Sequence, residues 1–173
     1  MARLAQRIGL TRYEADEHYR EALAAYNKKD MDAAILAMEQ AIELLPRNAE
    51  YYAARGFFYL EDGIIDEAAD DFEHALALYP YETLAHYGRG VIAYQSKNWE
   101  EALAHFTDAY RADPNRPETL YYLGLVQHRR GENAKALPFM EKAQEFFTAN
   151  NDRRRIDAGK WVRQIDKLQK DEK

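Results

Sequence analysis

Three prolines, Pro46, Pro80 and Pro114, stand 34 residues apart, and several other columns of the chain share that interval. Placing proline at position 32 of a 34-residue unit divides the chain into residues 15–48, 49–82, 83–116 and 117–150. Position 20 is then Ala34, Ala68, Ala102 and Ala136, and position 27 is Ala41, Ala75, Ala109 and Ala143. Position 24 holds Met38, Phe72, Phe106 and Met140, while position 8 holds Ala22, Gly56, Gly90 and Gly124. A fixed period of this length describes one supersecondary unit used repeatedly, each copy unable to bury its apolar face alone. Small residues at positions 8, 20 and 27 let two helices approach closely, and the large residue at 24 fills the space between them. Each unit is therefore expected to be a helical hairpin. Gly63 and Gly131 suit a left-handed helix C-terminus, and Asn98 with Glu101 has capping-box spacing.

These columns resemble the tetratricopeptide repeat, whose pattern runs from a large residue through Leu-Gly and Tyr to Ala, Phe and Pro. The second unit reads Tyr52, Gly56, Tyr59, Ala68, Phe72, Ala75, Pro80, and the fourth reads Leu120, Leu123, Gly124, Ala136, Met140, Ala143. The departures are His18 and Ala22 in the first unit, Thr148 where the fourth expects proline, and Pro138 inside a second helix, where a lost N–H should bend it. The resemblance implies an all-α fold: a right-handed α-solenoid of four helical hairpins, one per unit, closed by a C-terminal capping helix. Residues 151–173 supply that helix, with Ala158, Trp161, Ile165 and Leu168 forming an apolar stripe on a polar segment. Residues 1–14 form an N-terminal extension. Thr11 and Glu14 make a capping box that predicts a first helix starting near Thr11. Residues 1–10, with Arg3, Leu4, Arg7, Ile8 and Leu10, are left as a frayed end or one extra turn, or as an apolar segment able to occupy a groove.

Composition narrows the chemistry. The 173 residues include no cysteine, which excludes disulfides, thiolate-held zinc, iron–sulfur clusters and thiol catalysis. The longest apolar run, Ala33 to Met38, is far too short for a membrane span or a signal-peptide core, so a cytoplasmic protein is expected. His18, His74, His86, His105 and His128 are scattered over the repeat positions without metal-ligand spacing. Glu61, Asp62, Asp66, Glu67, Asp70, Asp71 and Glu73 lack the alternation of a calcium loop and read as a solvated helix face. No phosphate-binding loop, dinucleotide fingerprint or nucleophile elbow occurs. The expectation is a non-enzymatic protein with no cofactor and no metal.

Function must then lie in surfaces. The resemblance implies that the first helices of the units line a concave groove through positions 2, 5, 9 and 12. Read onto this chain, the candidate groove residues are Tyr19, Leu23, Tyr26, Phe57, Leu60, Tyr87, Val91, Tyr94, Tyr121, Leu125 and His128. Position 9, often polar in the family, is apolar in all four units, so an exposed apolar stripe is expected there. The clamp by which cochaperone members of the family grip a terminal carboxylate requires Lys, Asn and Arg, and the matching positions hold Tyr19, Leu23, Ala54, Leu84 and Gly88. One unit along they hold Ala53, Phe57, Gly88, Glu118 and Tyr122. The expected partner is a protein or peptide with apolar anchors, an amphipathic helix or an extended segment. Charge supplies an alternative. Residues 1–82 carry 8 basic and 17 acidic side chains, and residues 83–173 carry 16 and 13, a net of −9 against +3. A self-associating scaffold could form head to tail, the acidic second unit meeting the basic last helix with Lys160, Arg163, Lys167 and Lys170. The overall charge of −6 disfavours nucleic acid, and the basic stripe reads as a solvated cap in preference to a membrane contact.

Overall fold

A computed structural model describes the backbone of residues 2–171 and the side chains of residues 9–171. Among the described residues there are helices and turns but no strand. The helices are α1 (Ala2–Asn27), α2 (Met31–Leu44), α3 (Ala49–Asp62), α4 (Ile65–Leu78), α5 (Thr83–Gln95), α6 (Trp99–Ala112), α7 (Pro117–Arg129), α8 (Asn133–Ala149) and α9 (Arg155–Asp171). The architecture is an all-α repeat solenoid. None of these helices is long and apolar enough to cross a membrane.

Local chemistry sets the helix ends. The carboxylate of Asp30 accepts from Ala33 N–H at 3.1 Å, Asn48 accepts from Glu50 N–H at 3.1 Å, and Asn98 accepts from Glu101 N–H at 3.4 Å. The Asn98 side-chain amide also donates to Glu101 Oε2 at 2.6 Å, while its backbone N–H goes to the Ala93 carbonyl at 2.9 Å, so the expected box keeps its forward bond and replaces the reciprocal one by a side-chain pair. At the turn inside each hairpin the chain enters the left-handed region, with Gly63 at φ 84° and Gly131 at φ 77°. Lys29 and Lys97 take the same repeat position at φ 62° and 60°, although neither is glycine. Pro138 lies inside α8, as its position predicted.

The expected start of the first helix is corrected. α1 runs unbroken from Ala2, so the Thr11–Glu14 pair is not used as a cap. A capping box starts a helix only where the preceding residues leave the helical path, and Ala, Arg, Leu and Gln before Thr11 are good helix formers with a single Gly9 among them. Residues 2–10 are thus neither a frayed end nor a segment folded back into a groove of their own chain. The side chains of Arg3, Leu4, Arg7 and Ile8 lie outside the described residues.

The chain divides into two compact units, residues 1–88 and 89–173. In the first, Ala15, Ala22, Ala34, Met38, Ala41, Tyr51, Ala54 and Phe58 form the core of α1, α2 and α3. Tyr51 donates from its hydroxyl to Asp16 Oδ1 at 2.7 Å, tying α3 to α1. Phe72, fully buried, lies against Gly56 and Gly88, where an added Cβ would approach its ring to 3.0 and 2.1 Å. Arg55 on α3 grips Asp71 on α4 through two bonds of 2.8 and 2.7 Å, a fork geometry that neutralises a carboxylate only 8% exposed. In the second unit Phe106 fills the space over Gly90 and stacks on Tyr122 with ring centroids 5.0 Å apart. Leu120, Leu125, Met140, Ala143, Phe147 and Ala158 join α7, α8 and α9 in one cluster.

Candidate interaction surface

The candidate residues fall on the first helix of each hairpin. In the first unit Tyr19 is half-buried with its ring 5.5 Å from that of Tyr51. Burial, followed by the carboxylates of Glu50 and Glu82, pushes the Tyr19 phenol up to about 12, so it stays a neutral hydroxyl at physiological pH. Tyr26 packs on Phe57 and Phe58 at 5.6 and 5.3 Å. Leu23 is 41% exposed and Phe57 half-buried, whereas Leu60 and Tyr87 are buried. α1, α3 and the first turns of α5 therefore carry aromatic side chains with Leu23 as an open apolar one among the candidate residues.

In the second unit Tyr94 is wedged edge-to-face against Trp99 at 5.2 Å and Tyr122 at 5.4 Å. Tyr121 and His128 are half-buried, and His128 meets α9 directly, the Trp161 ring lying 5.4 Å from its own. Burial leads the rise in the Tyr121 pKa, against the opposing influence of the nearby Trp161 indole. His128 Nδ1 also pairs with Asn133 Oδ1 at 2.8 Å. Gln169 at the far end of α9 donates to the Asn133 carbonyl at 2.7 Å.

The exposed stripe expected at position 9 holds at Leu23 and in part at Phe57. It does not hold at Val91 or Leu125, each 6% exposed. A branched aliphatic side chain at this position reaches no further than the neighbouring helices and is covered by them, while an aromatic ring or an end-of-array leucine extends beyond. The contact of α9 with His128 was also not anticipated. Its signal was Trp161 standing at position 11 of a fifth, incomplete unit.

The edges of the hairpins carry recesses that no sequence motif marks. A recess of about 400 Å³ in the first unit is lined by Tyr26, Asn27, Lys29, Met31 and Glu61. Its counterpart in the second unit, about 340 Å³, is lined by Tyr94, Gln95, Lys97, Trp99 and Arg129, the same repeat positions. A third recess of about 560 Å³, mainly apolar, lies between Leu45, Pro46, Arg47, Asn48, Ala49, Leu78 and Tyr79. Among the described residues no group of three His, Cys, Asp or Glu side chains could hold a metal ion.

The family model described as tetratricopeptide repeat matches residues 19–83, 59–117 and 87–151. The chain belongs to the tetratricopeptide repeat family. Among curated relatives it is 29% identical over 97 residues to the SGT1 homolog of Bos taurus, covering 56% of this chain and 29% of that protein. It is 27% identical over 126 residues to the photosystem I assembly protein Ycf3 of Acaryochloris marina, covering 68% and 76%. Among solved structures, PilF of Pseudomonas aeruginosa superposes with a TM-score of 0.78 at 19% identity, over 93% of this chain and 71% of that one. The first tetratricopeptide domain of Spaghetti (RPAP3), solved with an HSP90 peptide, gives 0.65 at 20% identity over 69% and 98%. The chain thus spans less than a third of its bovine relative, and the solved structures carry the fold alone.

Proposed function

We propose that this tetratricopeptide chain is a non-enzymatic interaction module that holds a peptide or helix of a partner protein on the tyrosine-rich face of α1, α3 and the first turns of α5 in the first unit, with a second aromatic face on the end of α5 and α7 in the other unit. The observation that carries the reading is Leu23, 41% exposed on α1 one turn from both Tyr19 and Tyr26, whose partly buried rings pack with Phe57 against the core of the first unit. Apolar and aromatic area of this kind, left open beside neutral hydroxyls, suits a segment with large apolar anchors. Relatives support the class: Spaghetti (RPAP3) was solved with a bound HSP90 peptide. The groove assignment of Val91 and Leu125 now means packing beneath the surface, with Tyr94, Tyr121 and His128 at its face.

The head-to-tail alternative has less behind it. Lys160 pairs with Asp157 at 2.9 Å, Lys170 with Asp166 at 2.6 Å, and Arg154 with Asp152 and Glu118 at 2.6 and 2.7 Å. Much of the basic charge of the last helix and its approach is therefore answered locally.

Selection of a random displayed peptide library on the full chain tests the groove. Enriched peptides are expected to share large apolar residues at helical or alternate spacing and to lose binding on Leu23→Asp, whose melting temperature should match the parent because the site is open. Enriched peptides that bind Leu23→Asp and Tyr94→Ala as well as the parent would overturn it.

A further inference from the structure

The two hairpin-edge recesses are built from the same repeat positions but differ in charge. In the first, Lys29 shares the recess with the carboxylate of Glu61; in the second, Lys97 shares it with Arg129. Both lysines are fixed in left-handed backbone, φ 62° and 60°, so each presents its side chain from the same kind of turn. Arg130, next in sequence, is engaged by Glu100 at 3.6 Å and Glu132 at 3.2 Å. Among the described residues no carboxylate makes an ion pair with Lys97 or Arg129, and both are exposed. Two unanswered cations thus border a mostly apolar recess whose wall is the edge-to-face pair Tyr94 and Trp99, 5.2 Å apart.

We propose that this recess receives an aspartate or glutamate side chain of a partner segment whose apolar anchors lie on the adjoining groove. The inference rests on the groove reading above, and Tyr94 links the two because it belongs to both surfaces. A volume of about 340 Å³ admits one or two side chains and no more. The aromatic wall accepts the methylenes of an acidic side chain while Lys97 and Arg129 bind its carboxylate, Arg129 in the planar two-donor manner open to arginine. A polyanion fits poorly, since the chain as a whole carries −6 and the recess offers two cations, not a track. The recess lies at positions 12, 13, 15 and 17 of the repeat, away from the carboxylate-clamp positions, where Tyr19, Leu23, Ala54, Leu84 and Gly88 supply no cation.

The test is the peptide selection run in parallel on the parent, on Lys97→Gln/Arg129→Gln, and on Lys29→Gln. Parent and Lys29→Gln should enrich peptides with an acidic residue at fixed spacing from the apolar anchors. The double variant should keep the anchors and lose the acid. The strongest parent-selected peptide should bind the double variant roughly tenfold more weakly, in the range expected for lost hydrogen bonds to charged groups. Replacing its Glu or Asp by the amide should cost a similar factor on the unaltered protein, a measurement independent of how the variants fold. Apolar anchors without acid, or acid retained equally on the double variant, would refute the recess and leave the groove standing. No enriched peptide at all would refute both.

Discussion

At Gly88 the backbone of α5 passes so close to Phe72 that an added Cβ would lie 2.1 Å from the ring. Real side-chain carbons do not sit at that distance, so Gly88→Ala should force Phe72 off its rotamer and destabilise by about 1–3 kcal/mol. Phe72→Ala and Phe106→Ala should each cost about 3–5 kcal/mol, because both rings are fully buried and leave cavities. Chemical denaturation checks all three, and a Phe variant as stable as the parent would mean that the helical register is wrong. Much of this was legible at single residues: the alanines at positions 20 and 27 are all buried, and Phe72 and Phe106 are interior as their columns required. What was not legible depends on neighbours. Position 6 is Gly88 in one unit and Tyr122 in the next, so Phe72 presses into a gap where Phe106 stacks on a ring. Lys29 and Lys97 gave no sign of positive φ, because that conformation is imposed by the hairpin and tolerated by the side chain. Tyr87, read as a groove residue, is 9% exposed, so Tyr87→Ala should now lower stability as well as any binding.

At the scale of elements, the repeat columns named hairpins correctly and the ends less well, since an end has no second copy to calibrate it. α1 overran its capping box because nothing upstream breaks the helix. α9 was read from its stripe, and the structure buries Ala158 and Ile165 on that stripe while Leu168 stays 36% exposed. Its entry depends on Asp152, which accepts from Arg154 N–H at 2.8 Å and pairs with the Arg154 guanidinium. The Arg154 side-chain bond is the main cause holding the Asp152 carboxyl at about 2, below its ordinary 3.8. A carboxyl depressed on folding contributes stability that is present above 3.8 and lost as pH falls toward 2. The junction before α9 should therefore loosen across that window, read by Trp161 fluorescence in a Trp99→Phe background. Asp152→Asn should remove this acid-dependent component, and an unchanged acid profile in that variant would refute the assignment. Deleting residues 151–173 should uncover Phe147, whose ring lies 4.6 Å beneath the Arg154 guanidinium, and lower both stability and solubility.

For the molecule as a whole the question is whether its uneven charge assembles it. Residues 1–82 carry −9 and residues 83–173 carry +3, which on sequence alone describes a dipole able to stack end to end. Side-chain geometry weakens that reading, because Lys160, Lys170 and Arg154 already have carboxylate partners. Among the described residues, Arg153, Arg163 and Lys167 are the exposed cations of the last segment outside those pairs. Exposed charge pairs between molecules contribute well under about 1 kcal/mol each, too little from three cations to offset the freedom lost on association. The net charge of −6 adds repulsion between copies that is strongest where screening is weakest. Sedimentation equilibrium should therefore give a single species near 20.2 kDa at low and at physiological salt alike. A dimer at low salt that dissociates as the screening length falls to about 8 Å would restore the charge-driven scaffold. A dimer that persists at high salt and is lost in Leu23→Asp would instead show a second copy of the chain occupying the apolar face, with Leu23 as its contact.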